Sequence, residues 1–158
     1  MSPFLRPLIR PRGARYELVD GDTHSLIAAV VEAAFDSKSR RRGLLGRAAL
    51  PDHHALVLAP CNAVHTVGMQ FPIDVVFVSD EGRVVKIVEN LGPWRIAGAI
   101  IRASVTVELA AGMVKRTGLS AGDRLAIQRA AAPLYPAQSD IGLEPAGTFA
   151  TRPNPGWR

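Results

Sequence analysis

The segment from Phe71 to Val88 constrains this chain more than any other. It reads F-P-I-D-V-V-F-V-S-D-E-G-R-V-V-K-I-V. β-Branched and aromatic side chains favour extended backbone. Pro72 suits the first residue of a strand, where no ladder donor is needed. Ile73, Val75 and Phe77 then share one face, and Asp74, Val76 and Val78 the other. Asp80, Glu81 and Gly82 form a three-residue turn, with glycine where positive φ is easiest. Val84 to Val88 returns antiparallel. The rest of the chain is expected to organise around this hairpin.

Other segments place strands and helices around it. Ser2 to Arg15 interleaves Pro3, Pro7 and Pro11 with Arg6, Arg10, Arg12 and Arg15. Proline removes donors and restricts φ, so residues 1–20 are expected to be a flexible arm, with a short strand over Tyr16 to Val19. Leu26 to Ala34 is apolar and β-branched enough for one strand. Asp36 or Ser37 can cap a helix that runs to Leu50 and stops at Pro51, with Leu44 and Leu45 on one side and a basic solvated face. Ala55 to Leu58 reads as a buried strand. Trp94 is expected to cover one end of the core from a loop. Ala97 to Ile101 is a short strand or a loop. Ser104 to Leu109 alternates as a half-buried strand, which puts Glu108 on the solvent face or against an arginine of the helix. Met113 to Thr117 is a short helix with Gly118 at its end, and Arg124 to Ile127 is the last core strand. From residue 131 the prolines and glycines read as a tail without regular structure, in which Trp157 stays exposed or docks on the body.

Composition sets the class. A chain of 158 residues suits a single domain, here residues 21–130, and needs no staples to bury its core. One cysteine excludes an internal disulfide and fits a reducing, cytoplasmic setting. The net charge of +5 raises nucleic-acid binding, but no aromatic residues interleave with the arginines to stack on bases, so nucleic acid is not the expected partner. Met1 to Leu8 is too short and too interrupted by proline for the apolar core of a signal peptide. The Leu26 to Val31 run falls far short of a membrane span. The predicted fold is mainly β: a compact sandwich or barrel-like domain with one packed helix, about 36–50, and a second short helix, about 113–117.

Three ordered motifs carry a resemblance. R-R-G-L-L-G-R-A-A-L-P, from Arg41 to Pro51, resembles an Arg-Gly-Leu-Met-x-Arg helix followed by Leu-Pro. Phe71 to Val85 resembles an Ile-Pro-Leu-Asp strand with its turn and return. Val107 to Leu125 resembles a closing Glu-Leu-x-x-Gly and Gly-x-x-x-Gly-Asp pattern. Together, over about residues 26–127, they resemble the bacterial and archaeal domain of unknown function number 192. The resemblance implies a compact, mainly β fold with a packed helix, and no known activity. Two stretches depart from it. His54-Ala55-Leu56-Val57 stands for the usual Gly-Met-Leu-Phe, and His65-Thr66-Val67-Gly68-Met69 for Trp-Met-Lys-Asn-Thr.

Three chemistries compete. Cys61, His65 and Met69, with His53 and His54, are soft donors that suit copper or zinc. Pro60, Gly68 and Pro72 oppose the helix that would align them, and paired short ligand spacings are absent, so no metal and no cofactor is assigned. Cys61 beside His65 could be a thiolate–imidazole pair of a hydrolase or redox protein, though no nucleophile turn or oxyanion loop accompanies it. His65 beside Asp74 could be a carboxylate-oriented imidazole or a structural hydrogen bond. No phosphate-binding glycine loop occurs. The best-supported reading is a non-enzymatic ligand-binding or accessory module, monomer or dimer, for a small ligand or a protein partner. Its candidate residues are His65, Thr66, Asp74, Arg47, Cys61 and Glu108.

Overall fold

The structure, a computed structural model, describes residues 2–9 and 14–131. Arg10, Arg12 and the expected tail beyond Ala131, with Trp157, lie outside them. The strands are β1 (Tyr16–Asp20), β2 (Leu26–Ala28), β3 (Val30–Ala34), β4 (His54–Leu58), β5 (Ala63–His65), β6 (Ile73–Val78), β7 (Val84–Leu91), β8 (Ile96–Gly98), β9 (Val105–Ala110) and β10 (Leu125–Arg129). Two short helices, α1 (Ser37–Arg42) and α2 (Met113–Thr117), interrupt them. The fold is mainly β, as the alternation predicts.

A five-stranded sheet, ordered β3-β4-β9-β6-β7, is the centre. All its pairs are antiparallel except β3 with β4. Parallel neighbours need a long crossover, and residues 35–53, which contain α1, supply it. A three-stranded sheet, β10-β1-β2, covers one face. Leu18, Ile27, Val57, Val76, Val107 and Leu125 fill the space between the two sheets. The opposite face carries the turns after α1 and the two-stranded ribbon of β5 and β8. There Leu44, Leu56, Leu58, Ile73, Val75 and Phe77 form a second core. The face split expected for β6 therefore holds, and every residue of β6 is buried because both sides are covered.

Several boundaries differ from the sequence reading. The long helix over 36–50 is only six residues, Ser37–Arg42. Asp36 caps it as expected, its Oδ1 accepting from the Lys38 and Ser39 amides at 2.9 Å each. The chain leaves the helix at Gly43 (φ 44°) and turns again at Gly46 (φ 78°), well before Pro51. Both values lie where glycine is easily accommodated. Leu44 and Leu50 are still buried, delivered by turns instead of a helix face. The single strand expected over 26–34 breaks at Ala29, because β2 belongs to the small sheet and β3 to the large one. The His53 carbonyl accepts from both the Ala29 and Val30 amides at this crossing.

The N-terminal arm is also more structured than its prolines suggest. Pro3–Ile9 is a 3-10 helix that buries Phe4 and Leu5 in the first core. Pro7 lies inside it. β1 lies at the centre of the small sheet, so Tyr16–Asp20 belongs to the body. Trp94 does not cover the core: it is 68% exposed.

Candidate functional site

A cleft of about 570 Å³ opens between the α1 turn and the Cys61–Met69 segment. Glu108 on β9 and Leu58 on β4 line it. Leu44, Val64 and Met69 add apolar lining, and Arg41 and Arg42 add basic lining. The volume is within the range of small-molecule sites.

Glu108 is the unusual group. Its cross-strand neighbours are Leu56 on β4 and Val75 on β6, both apolar and buried. The residue is 5% exposed, so the solvent face expected from strand alternation is in fact a covered face. Its Oε2 has no hydrogen-bond partner among the described residues. Burial pushes the carboxyl up to about 7, against the opposing field of the Arg47 charge. A buried carboxylate without a partner carries a large desolvation penalty, which is why protonation becomes easier.

Arg47 does not meet this need. Its Nη1 and Nη2 donate to the two carboxylate oxygens of Glu32 at 2.8 and 2.7 Å. This fork geometry satisfies both groups. It holds the Glu32 carboxyl below the usual range, with His54 Nδ1 3.7 Å away adding to the effect. Glu32 is not among the residues that the sequence reading brings forward. Its position as the one acid in the apolar run 26–34 is the signal that points to it.

The remaining candidates divide. Thr66 is fully buried, its hydroxyl donating to the Gly92 carbonyl at 2.7 Å and accepting from the Arg95 amide at 2.9 Å. Asp74 is also fully buried and accepts from the Asn90 amide at 2.8 Å and the Val114 amide at 2.9 Å. Both tie loops to the sheet. The expected His65–Asp74 pair does not form, since these amides take both Asp74 oxygens and His65 is exposed on β5. Cys61 is half-buried, and its thiol donates to the Ala63 carbonyl at 3.1 Å, not to His65. No Cys61–His65 hydrogen bond is present among the described residues. Cys61, His65 and Glu108 thus line the cleft, whereas Thr66, Asp74 and Arg47 serve the framework beside it. Among the described residues no three His, Cys, Asp or Glu side chains are placed to hold a metal ion. No helix among them is long and apolar enough to cross a membrane.

The family model for DUF192, described as an uncharacterized ACR, matches residues 19–127. The chain belongs to the DUF192 family. The matched span runs from the end of β1 into β10 and so holds the whole central sheet and the cleft. Among solved structures, the chain is similar to a protein from Sinorhizobium meliloti 1021 described as a candidate transcription regulator. The identity is 29% and the TM-score 0.62, over 73% of this chain and 92% of that one. It also shares its fold with a protein of unknown function from Novosphingobium aromaticivorans DSM 12444, at 21% identity and a TM-score of 0.61, over 70% and 82% of the two chains. No curated protein matches the chain.

Proposed function

We propose that this DUF192 domain is a non-enzymatic module that binds a small polar ligand in the cleft over Glu108. The carrying observation is a buried carboxylate in the lining of a cleft, whose Oε2 has no partner among the described residues. Protein interiors rarely leave such a group unsatisfied, and a bound molecule is one way to satisfy it. Among the described residues no hydrogen-bonded nucleophile–base pair accompanies the carboxylate, which favours binding over turnover.

The description of the Sinorhizobium protein as a candidate regulator is not carried over as DNA reading. Among the described residues the longer α-helix is α1, with six residues, and neither helix is long enough to serve as a recognition helix in the major groove.

The test is a thermal-shift screen of small polyols, carboxylates, amines and amino acids, run on wild-type protein and on Glu108→Gln. At least one class is expected to raise the melting temperature of the wild type by several degrees and to do so less in the variant. If no class stabilises the wild type, or if both proteins respond alike, the reading is wrong.

A further inference from the structure

The charges around the cleft narrow the ligand's chemistry. Among the described residues no cation forms an ion pair with Glu108, whose Oε2 has no hydrogen-bond partner there. Arg47 is committed to Glu32 through two hydrogen bonds. Arg40 is committed to the Phe35 and Ala59 carbonyls. Both already make hydrogen bonds to other groups.

Arg41 and Arg42 differ. Arg41 uses only its Nε, donating to the Ser37 carbonyl at 3.2 Å, so its terminal nitrogens keep their donors. The Arg42 side chain makes no hydrogen bond among the described residues. Both arginines line the cleft and are exposed. Leu44, Leu58, Val64 and Met69 line the same cleft. The lining therefore combines a buried acid, apolar side chains and exposed guanidinium groups with donors to spare among the described residues.

Resting on the ligand-binding reading, we infer that the occupant is a small zwitterion, with a protonated amine at Glu108 and a carboxylate or phosphate at Arg41 and Arg42. A desolvated carboxylate is offset best by a cation that also donates hydrogen bonds. A hydroxyl would satisfy the lone pair without balancing the charge. A plain amine would be repelled by the two arginines. An anion alone would meet Glu108 of the same sign. A molecule with both ends and a short methylene spacer answers the acid, the apolar lining and the arginines together. Guanidinium groups also suit carboxylate and phosphate because their planar forks match both oxygens.

The experiment is isothermal titration calorimetry on the full chain. The zwitterionic probes are β-alanine, γ-aminobutyrate, δ-aminovalerate and phosphoethanolamine. The matched controls are butyrate, butylamine and butanediol. At least one zwitterion is expected to bind about tenfold or more tightly than every control, the equivalent of one charge-assisted contact. The advantage should disappear in Glu108→Gln and, independently, in Arg41→Ala/Arg42→Ala, whose exposed positions leave folding intact. Circular dichroism and melting curves check the fold of both variants.

Binding of butylamine or butanediol as tightly as the zwitterions would overturn the assignment while leaving a Glu108-dependent ligand site in place. Failure of all four zwitterions would overturn it as well, whether or not the wider screen finds another class. If neither titration nor screen detects any ligand, the binding reading falls with it.

Discussion

Asp74 and Glu108 lie on neighbouring strands and on opposite faces of the central sheet. Asp74 pairs in register with Leu109, and Val75 pairs with Glu108. Each acid is buried, and their fates are opposite. Asp74 accepts two backbone amides, one from the end of β7 and one from α2. Glu108 leaves an oxygen without a partner among the described residues, over a cleft. One acid fastens the fold, and the other is available.

Glu108 makes stability fall as pH rises. Its carboxyl sits near 7 in the folded protein, against an ordinary value of 4.5. The folded protein then binds the extra proton between those values, so stability is full below about pH 4.5 and is lost as pH climbs through 7. The difference corresponds to on the order of 3 kcal/mol. Glu32 and Asp36, whose carboxyls are held low, act in the other direction and only at more acid pH. Urea unfolding at a series of pH values should show the decline between about pH 4.5 and 7. Glu108→Gln should flatten it and be the more stable protein at the alkaline end.

Asp74→Ala should cost roughly 2–5 kcal/mol, because two backbone donors lose a charged acceptor in a dry environment. Asp74→Asn should cost less, since its amide oxygen can still accept from one of them. Denaturant midpoints for the two variants measure the difference. Equal stabilities would remove the clamp role from Asp74.

Gly82 and Gly118 should separate strain from crowding. Both have positive φ, 88° and 71°. A Cβ at Gly82 would sit 2.6 Å from the Leu125 carbonyl and 3.0 Å from the Phe4 ring, whereas at Gly118 it would meet nothing within 4 Å. Gly118→Ala should cost about 1 kcal/mol from backbone strain alone. Gly82→Ala should cost clearly more, with the N-terminal 3-10 helix shifting. Thermal melts compare the pair directly, and limited proteolysis near residues 3–9 reports the shift.

The Arg47–Glu32 pair should couple weakly. Their side chains are 34% and 37% exposed, so solvent screens the attraction. A double-mutant cycle with Arg47→Ala and Glu32→Ala should give a coupling below about 1 kcal/mol, decreasing in salt. Arg47→Lys should lose most of it, because a lysine cannot make the two-pronged contact.

Local chemistry makes much of this protein legible in its sequence. The β6–β7 hairpin, its face split, the Gly82 turn, the Asp36 cap and the α2 span follow from side-chain shape, period and turn preference. These act between residues close in sequence. Elsewhere distant elements decide the outcome. α1 stops at Gly43 because two glycines turn the chain back over the second core, though the downstream leucines keep helical spacing. Ala29 breaks a continuous apolar run because two sheets each take half of it. Phe4 and Leu5 order a proline-rich segment by finding a core made of strands far along the chain.

The same division holds at the site. Cys61, His65 and Glu108 are identifiable by residue type, but their shared cleft depends on the β5–β8 ribbon and the α1 turn closing over β9. His65 and Asp74 look like partners in sequence, yet the competing Asn90 and Val114 amides take the Asp74 oxygens and leave His65 exposed. A mainly β domain built on one hairpin can be read from the residues alone, because alternation and turn preference are local. The covered cleft over Glu108 cannot. Alternation assigns a residue to a face of its sheet, and what covers that face comes from segments elsewhere in the chain.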